Sequence, residues 1–473
     1  MEWNDLLTTR RFGKDVVLPY DESTYRISEF EKDYNKIISS APFRRLQDKT
    51  QVFPLDKSDF VRTRLTHSIE TSAIAKRLAT MIAVNISKYK ATSLHKIEEF
   101  QISEICNLLL CAGLLHDLGN PPFGHFGEAV ISNWFKIHLN SNDFTYKGET
   151  IGKLLTEHMK NDLQNFDGNV QNLRILTKLN YIEDGYGLNL TKSVLNTLIK
   201  YPNDSLASKG KGKFGYYLAE KEEFEKILED TKVYDNCRHP LTYILEAADD
   251  IAYTIADLED AVKKKVLNTN DFIDFFYNEL KNTDEYTDKK KRDKSKILID
   301  ELLKIKQGYN DDCDSFSYWC KFVQDWLLYA CAFSFTNNYN LIMEGKYQND
   351  LFYNTYHEYS VKIIKKASVK FIFPNDDIVR LELAAETILN SLLDKFVPAI
   401  LYFDVTDEHY KQSVSDKRLT ILISKNYKEC YEMHKTDNEV YNLYLRFLLV
   451  IDFISGMTDT YAKDIYQLLN GIY

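Results

Sequence analysis

Apolar side chains recur at three- and four-residue spacing over residues 67–86 (HSIETSAIAKRLATMIAVNI), with polar residues between them. That period predicts an amphipathic helix. Residues 99–117 (EFQISEICNLLLCAGLLHD) are more uniformly apolar and predict a central helix buried on most sides. It has to stop at Gly119-Asn120-Pro121-Pro122, which cannot continue a helix. The next helix is expected near Gly127, running through EAVISNWFKIHL. A long helix follows over 239–266, with Pro240 near its start and Lys263 to Lys265 favourable at its end. The part from 296 to 473 continues as helices, among them 376–398 and 437–455. Two segments read as loops: 201–215, rich in Gly, Ser and Lys, and 282–295, so highly charged that it is expected to be a mobile connection. Small strands near 212–218 are allowed.

Composition sharpens this picture. Only 17 Gly and 9 Pro in 473 residues leave too few turn-formers for a sandwich or propeller of many short strands. The expected fold is all-α, mostly helical with at most small strands. Its helical core spans 30–270, and a helical C-terminal region spans 271–473. The net charge of −10 excludes a generally basic nucleic-acid coat. Any polyphosphate ligand therefore needs locally concentrated cations or a metal. Seven Cys without a CxxC pair read as buried thiols in a reducing compartment. The N-terminal segment has no apolar core of a signal peptide, and no uncharged stretch of about 18 residues occurs. A soluble, cytoplasmic protein without membrane contact is expected.

Candidate chemistry concentrates in Leu115-His116-Asp117-Leu118-Gly119-Asn120-Pro121-Pro122-Phe123-Gly124-His125-Phe126-Gly127-Glu128. A His-Asp dipeptide alone is equally well a buried His beside a capping Asp. Here a Gly-Pro turn returns His125 close behind it, and Glu128 follows at i+3, on the same face of a starting helix. A carboxylate beside an imidazole orients it and favours its protonated form, which suits a proton donor. Arg64 and His67 open the first amphipathic helix. Asp249, Tyr253 and Asp257 share a face of the 239–266 helix at i, i+4 and i+8. Periodicity alone also allows Asp249 an ion-pair role, with Asp250 and Asp257 solvated.

Taken together, His67, His116-Asp117 and Asp249 resemble the metal signature of the HD-domain phosphohydrolases. The longer strings APFRRLQDKTQVFP (41–54), RTRLTHS, HDLGNPPFGHFGE, LEAADDIAYTIADLEDAV and SGMTD (455–459) resemble the deoxyguanosine triphosphate triphosphohydrolases in order and spacing. The resemblance runs from about 30 to 465, and its densest motifs lie before 265.

This resemblance implies one divalent cation per active site, held by His67, His116, Asp117 and Asp249, with Asp250 beside them. Mixed imidazole and carboxylate ligands suit Mn, Fe or Co and, less tightly, Mg, with Mg or Mn the expected ions. The implied reaction cleaves dGTP, and other dNTPs, between the 5′-oxygen and the α-phosphorus, giving deoxynucleoside and tripolyphosphate. His125, held by Glu128, is the expected proton donor, although the family's pair has also been read as activating the nucleophile. Arg64 and Lys49 are candidate counter-charges. Gln51 and Asp257 are implied partners of the 3′-hydroxyl, and Tyr253 packs where a 2′-hydroxyl would sit. Asn169, Lys200 and Tyr201 match further pocket positions, with Lys200 a phosphate contact. Glu382 matches a guanine-reading position, or else makes a surface salt bridge, and Arg418 a base-side or cross-subunit one. A homo-oligomer, a hexamer by resemblance, and single-stranded DNA as a regulator are also implied. Two other readings share these residues: a 5′-nucleotidase or cyclic-nucleotide phosphodiesterase of the same superfamily, and a non-catalytic nucleotide or DNA sensor.

Overall fold

The computed structural model describes residues 1–473 except 14–26, 54, 56, 57, 59, 91–94, 180–184, 209–212, 283–284, 309–311, 408 and 473. Helices dominate it. The strands among the described residues are Thr145–Tyr146 and Glu149–Thr150, paired antiparallel through Lys147 and Gly148. Both turn residues have positive φ, 50° and 83°, as a two-residue hairpin turn requires. Described residues 213–218 form no strand. The fold is all-α.

The predicted helices form with longer or shifted ends. Arg64–Tyr89 begins at a reciprocal cap, in which the Thr63 hydroxyl accepts from Thr66 N and Thr66 Oγ1 accepts from Thr63 N. Glu99–Leu115 ends where His116 and Asp117 begin their turn. The helix expected near Gly127 starts earlier, as Gly124–Leu139, because Phe123 and Gly124 both adopt left-handed φ (63° and 59°) and turn the chain into it. Pro240–Lys263 has Pro at its first position and a His239 side chain accepting from Leu241 N. One expectation fails. Of the charged 282–295 segment, residues 289–295 belong to the Lys289–Gly308 helix, not to a mobile connection. Its charges lie on the wet face, while Ser295, Leu298, Ile299 and Leu302 are buried. Asp288 caps its start by accepting from the backbone of Lys290 and Lys291.

Two apolar clusters organise these helices. In the first, Arg64–Tyr89 packs on Glu99–Leu115, and Pro240–Lys263 packs on both and on Asp312–Asn337. In the second, Gly124–Leu139 meets Asp376–Ile400, which also packs on Glu439–Ser455 and Asp459–Leu469. The Glu439–Ser455 helix is buried from Asn442 to Ser455, so its polar groups need internal partners. Asp452 accepts from Gln171 and from two nitrogens of Arg174, and Arg174 also reaches Glu220. No single described helix is long and apolar enough to cross a membrane.

The first two helices approach so closely at Gly113 that a Cβ there would lie 2.4 Å from Ser72 Cα. Ser72 Oγ donates to the Leu110 carbonyl across the same seam. Gly113→Ala therefore has to push the two backbones apart. A loss of about 1–3 kcal/mol is expected for such overpacking, read as a lower denaturant midpoint with helix content unchanged.

Candidate active site

Close packing at Gly113 places the first turn of one helix beside the end of the other. His67 and His116 thereby come within 3.3 Å, Nε2 to Nε2. Asp249, from the middle of Pro240–Lys263, sets its Oδ1 3.1 Å from His67 Nε2 and 3.3 Å from His116 Nε2. One ligand atom each from His67, His116 and Asp117 lies within 4.8 Å of the others. The His116 Nδ1–H donates to the Gly113 carbonyl at 2.8 Å, which leaves the Nε2 lone pair facing the cluster. His67 Nδ1 is buried without a hydrogen-bond partner among the described residues. Two imidazoles and two carboxylates converging in this way fit a divalent cation. Asp250, the neighbouring acid, points elsewhere and pairs with Lys365 at 3.1 Å.

The charges of this cluster are interdependent. Burial opposes protonation of His116, but Asp117 and Asp249 outweigh it and raise its pKa to about 9 in the protein alone. Burial likewise opposes the charge on Asp117, yet Arg64 and the two imidazoles hold it below the ordinary carboxylate range. Arg64 Nη1 donates to Asp117 Oδ2 at 2.6 Å. Asn120 Nδ2 donates to Asp117 Oδ1 at 2.7 Å. Arg64 also reaches the turn that follows, since a Cβ on Gly124 would lie 2.4 Å from its Nη2.

His125 follows directly. Its side chain is 81% exposed, while that of Glu128 is only 11% exposed. The His125 Nδ1–H donates to Glu128 Oε2 at 2.8 Å, and Glu128 Oε1 accepts from Gly168 N at 2.7 Å. This hydrogen bond is the main reason the His125 pKa rises. The result is an accessible imidazole oriented through one nitrogen, with the other free.

The remaining residues divide. Gln51 Oε1 is buried and unpartnered among the described residues. Asp257 is 6% exposed, and burial, then Asp260, raise its pKa to about 8. Lys200 Nζ lies 2.8 Å from Glu246 and over the Tyr201 ring at 5.8 Å. Asn169 spends its side-chain amide on Asp167, next to the Gly168 that holds Glu128. Glu382 is half-buried, and neither its side chain nor that of the exposed Arg418 has a hydrogen bond or ion pair among the described residues, so the salt bridge considered for Glu382 is not seen. Glu382 stands seven residues before Leu389, the side chain that meets Gly127 of the His125 helix. Lys49 is corrected. Its ammonium is buried and donates to the Asn120 carbonyl at 2.6 Å and the Ser455 carbonyl at 2.8 Å, so it is a strut and not a counter-charge for substrate. Burial lowers its pKa to about 7.

Lys365 was not anticipated. It comes from the Glu358–Ala367 helix, pairs with Asp250 and stands 5.4 Å over the Tyr253 ring. Nothing near it in sequence signals this, because the contact is purely tertiary. A cleft of about 1630 Å³, lined by Tyr89, Trp326, Tyr329 and Phe333 among others, contains none of these residues. Chemistry and not volume identifies the site.

The HD domain family matches residues 64–172, which include His67, His116, Asp117, His125 and Glu128. Over 485 aligned residues the chain is 43% identical to a deoxyguanosinetriphosphate triphosphohydrolase-like protein of Listeria innocua, covering all of both chains. It is 32% identical over 500 residues to a like-named protein of Synechocystis, again covering all of both. Identity to the deoxyguanosinetriphosphate triphosphohydrolase of Yersinia enterocolitica is 31% over 501 residues, with 97% of each chain covered. Full-length similarity of this degree, with the HD match enclosing His67, His116 and Asp117, makes the chain a member of the deoxyguanosinetriphosphate triphosphohydrolase family of HD-domain hydrolases.

Proposed function

We propose that the protein hydrolyses dGTP, and other dNTPs, to deoxynucleoside and tripolyphosphate, using a divalent cation held by His67, His116, Asp117 and Asp249. The observation that carries the reading is the juxtaposition of two devices: a converged His/Asp cluster and, eight residues after Asp117 on the same loop, an exposed imidazole oriented by a buried carboxylate. A divalent cation in the cluster supplies Lewis-acid stabilisation of charge on a phosphoryl oxygen. Arg64, beside Asp117 and Gly124, adds fixed positive charge between the two devices.

Water attacks the α-phosphorus, and the bond to the 5′-oxygen breaks. The water oxygen leaves on tripolyphosphate, its released proton passes to solvent, and the 5′-oxygen departs as an alkoxide unless it is protonated. His125, protonated and oriented through Nδ1 by Glu128, gives that proton from Nε2. Asp257 and Gln51 suit the 3′-hydroxyl as a complementary pair. With a pKa of about 8, Asp257 is protonated near neutral pH and offers a donor, while Gln51 Oε1 offers a buried acceptor. The Tyr253 ring, on the same helix face as Asp249 and Asp257, closes the sugar position against a 2′-hydroxyl. The ammonium groups of Lys200 and Lys365 are the phosphate contacts of this reading, and Glu382 a guanine contact.

Four outcomes are expected. Incubation of the protein with dGTP and Mn or Mg yields tripolyphosphate and deoxyguanosine by chromatography, and His116→Ala or Asp117→Ala abolishes both with helix content intact; release of pyrophosphate or orthophosphate overturns the reading. His125→Ala lowers kcat about 100-fold or more. Because Glu128 raises the His125 pKa, the protonated donor persists above pH 6.5 and is lost as pH rises through the folded value. Glu128→Gln therefore moves the alkaline limb of the kcat–pH profile to lower pH, and an unmoved limb excludes His125 as the acid. Lys365→Met raises KM for dGTP about 10- to 150-fold, the effect of one lost charge-assisted contact of about 1.5–3 kcal/mol, and lowers kcat far less.

A further inference from the structure

The SGMTD string at 455–459 lies more than 300 residues from the HD loop in sequence, yet its last residue is inserted beside that loop. Asp459 is 1% exposed. Its Oδ1 accepts from Phe123 N at 2.9 Å, and its Oδ2 accepts from Thr50 N at 3.0 Å and from Thr50 Oγ1 at 2.6 Å. Both oxygens are thus committed to two segments remote from each other in sequence. Lys49 repeats the pattern from the other side, joining the Asn120 carbonyl of the HD loop to the Ser455 carbonyl. Thr460 Oγ1 adds a bond to Asp48 at 2.8 Å.

What these bonds fix is more than the general fold. Thr50 immediately precedes Gln51, and its backbone bridges Thr63, next to Arg64. The Lys49 carbonyl accepts from Arg64 N at 2.9 Å. Phe123 is a non-glycine residue at φ 63°, a conformation that costs energy and persists only when surrounding contacts enforce it. It is followed by Gly124 at φ 59° and then by His125. The direction in which His125 leaves the turn depends on those two residues, and among the described residues Asp459 is the side chain that accepts from Phe123 N.

We infer that Asp459 is a positioning residue: its carboxylate clamps Phe123 and Thr50 so that the His125–Glu128 pair and Gln51 face one substrate. It touches no reacting atom and acts through His125. The inference rests on the proposed triphosphohydrolase reading, in which His125 is the acid. Asp459→Asn keeps the side-chain volume but replaces one acceptor oxygen with a donor amide, which then confronts either Phe123 N–H or the Thr50 donors.

The test is a double-mutant cycle on tripolyphosphate release from dGTP. Asp459→Asn is expected to lower kcat about 100-fold, the effect of a misplaced catalytic group, with KM moved much less. In the His125→Ala background the same change is expected to cost no more than about 2-fold, because the group it positions is gone. The same loss in both backgrounds, or a wild-type kcat for Asp459→Asn, overturns the inference. Thr50→Val, which removes only the hydroxyl donor, serves if Asp459→Asn does not fold, and the same two criteria apply to it. Hydrogen exchange needs no substrate: amides of 119–128 and 49–53 are expected to exchange faster in the variant, with the Glu99–Leu115 helix unchanged, and unaltered exchange at those peptides overturns the clamp. If the wild-type protein releases no tripolyphosphate from any dNTP, the activity reading fails while the exchange comparison still decides the clamp.

Discussion

The site depends on how closely two helices approach, and the absence of a side chain sets that distance. Gly113 lets the Glu99–Leu115 backbone rest on Ser72 of Arg64–Tyr89, which brings His116 against His67. The same residue supplies the carbonyl that takes the His116 Nδ1 proton. One glycine thus governs both the spacing of the two imidazoles and the tautomer of one. Asp249 can reach both Nε2 atoms only because Pro240–Lys263 packs on both helices at once. Such a cluster is costly to assemble, because its ionised groups are removed from water, and tight packing has to offset that desolvation.

The second cluster explains why the C-terminal helices matter to chemistry that lies on earlier residues. Asp376–Ile400 carries Leu389 against Gly127, so the His125 helix is seated on a surface more than 200 residues further along the chain. Arg174, Asp452 and Glu220 form a buried ionic network that ties the helix after Gly168 to Glu439–Ser455. Buried pairs of this kind add little net stability, but breaking one leaves an uncompensated charge, so they specify geometry. Gly168 in turn holds Glu128. A path of direct contacts therefore runs from the C-terminal region to the proposed acid.

Much of this was legible in the sequence where the signal is local. The 3.6-residue period located the main helices, and the Gly-Pro turn located the reversal between Asp117 and His125. What stayed illegible is what only tertiary packing creates. The charged residues after 288 look like a loop because their polar face dominates composition, yet Leu298, Ile299 and Leu302 bury a sufficient stripe to make a helix. Lys49 reads as a free cation from its neighbours, whereas its environment is two carbonyls supplied by residues 120 and 455. Lys365 carries no motif at all. Which of two adjacent acids turns toward the histidines was likewise beyond periodicity, since one helix position is about 100° of rotation and both orientations are compatible with an apolar stripe.

In a chain of net charge −10, the Pro240–Lys263 helix concentrates acids beside the candidate site. Glu246, Asp249, Asp250 and Asp257 line one side of the region, which left alone would repel a triphosphate. Two of these acids meet cations from other elements, Lys200 against Glu246 and Lys365 against Asp250, and Arg64 does the same for Asp117 of the neighbouring loop. Each cation is already oriented by its acid, so under the proposed function an anionic ligand meets ordered ammonium and guanidinium groups and not flexible chains that must first be immobilised. The same acids weaken that attraction, because a phosphate competes with a carboxylate for each lysine. Affinity at such a site is a difference between two ionic states, and it favours a ligand whose own charge is partly neutralised by a divalent cation. An acidic protein can therefore bind a polyphosphate without a basic surface, provided that its few cations are placed by carboxylates on a neighbouring helix.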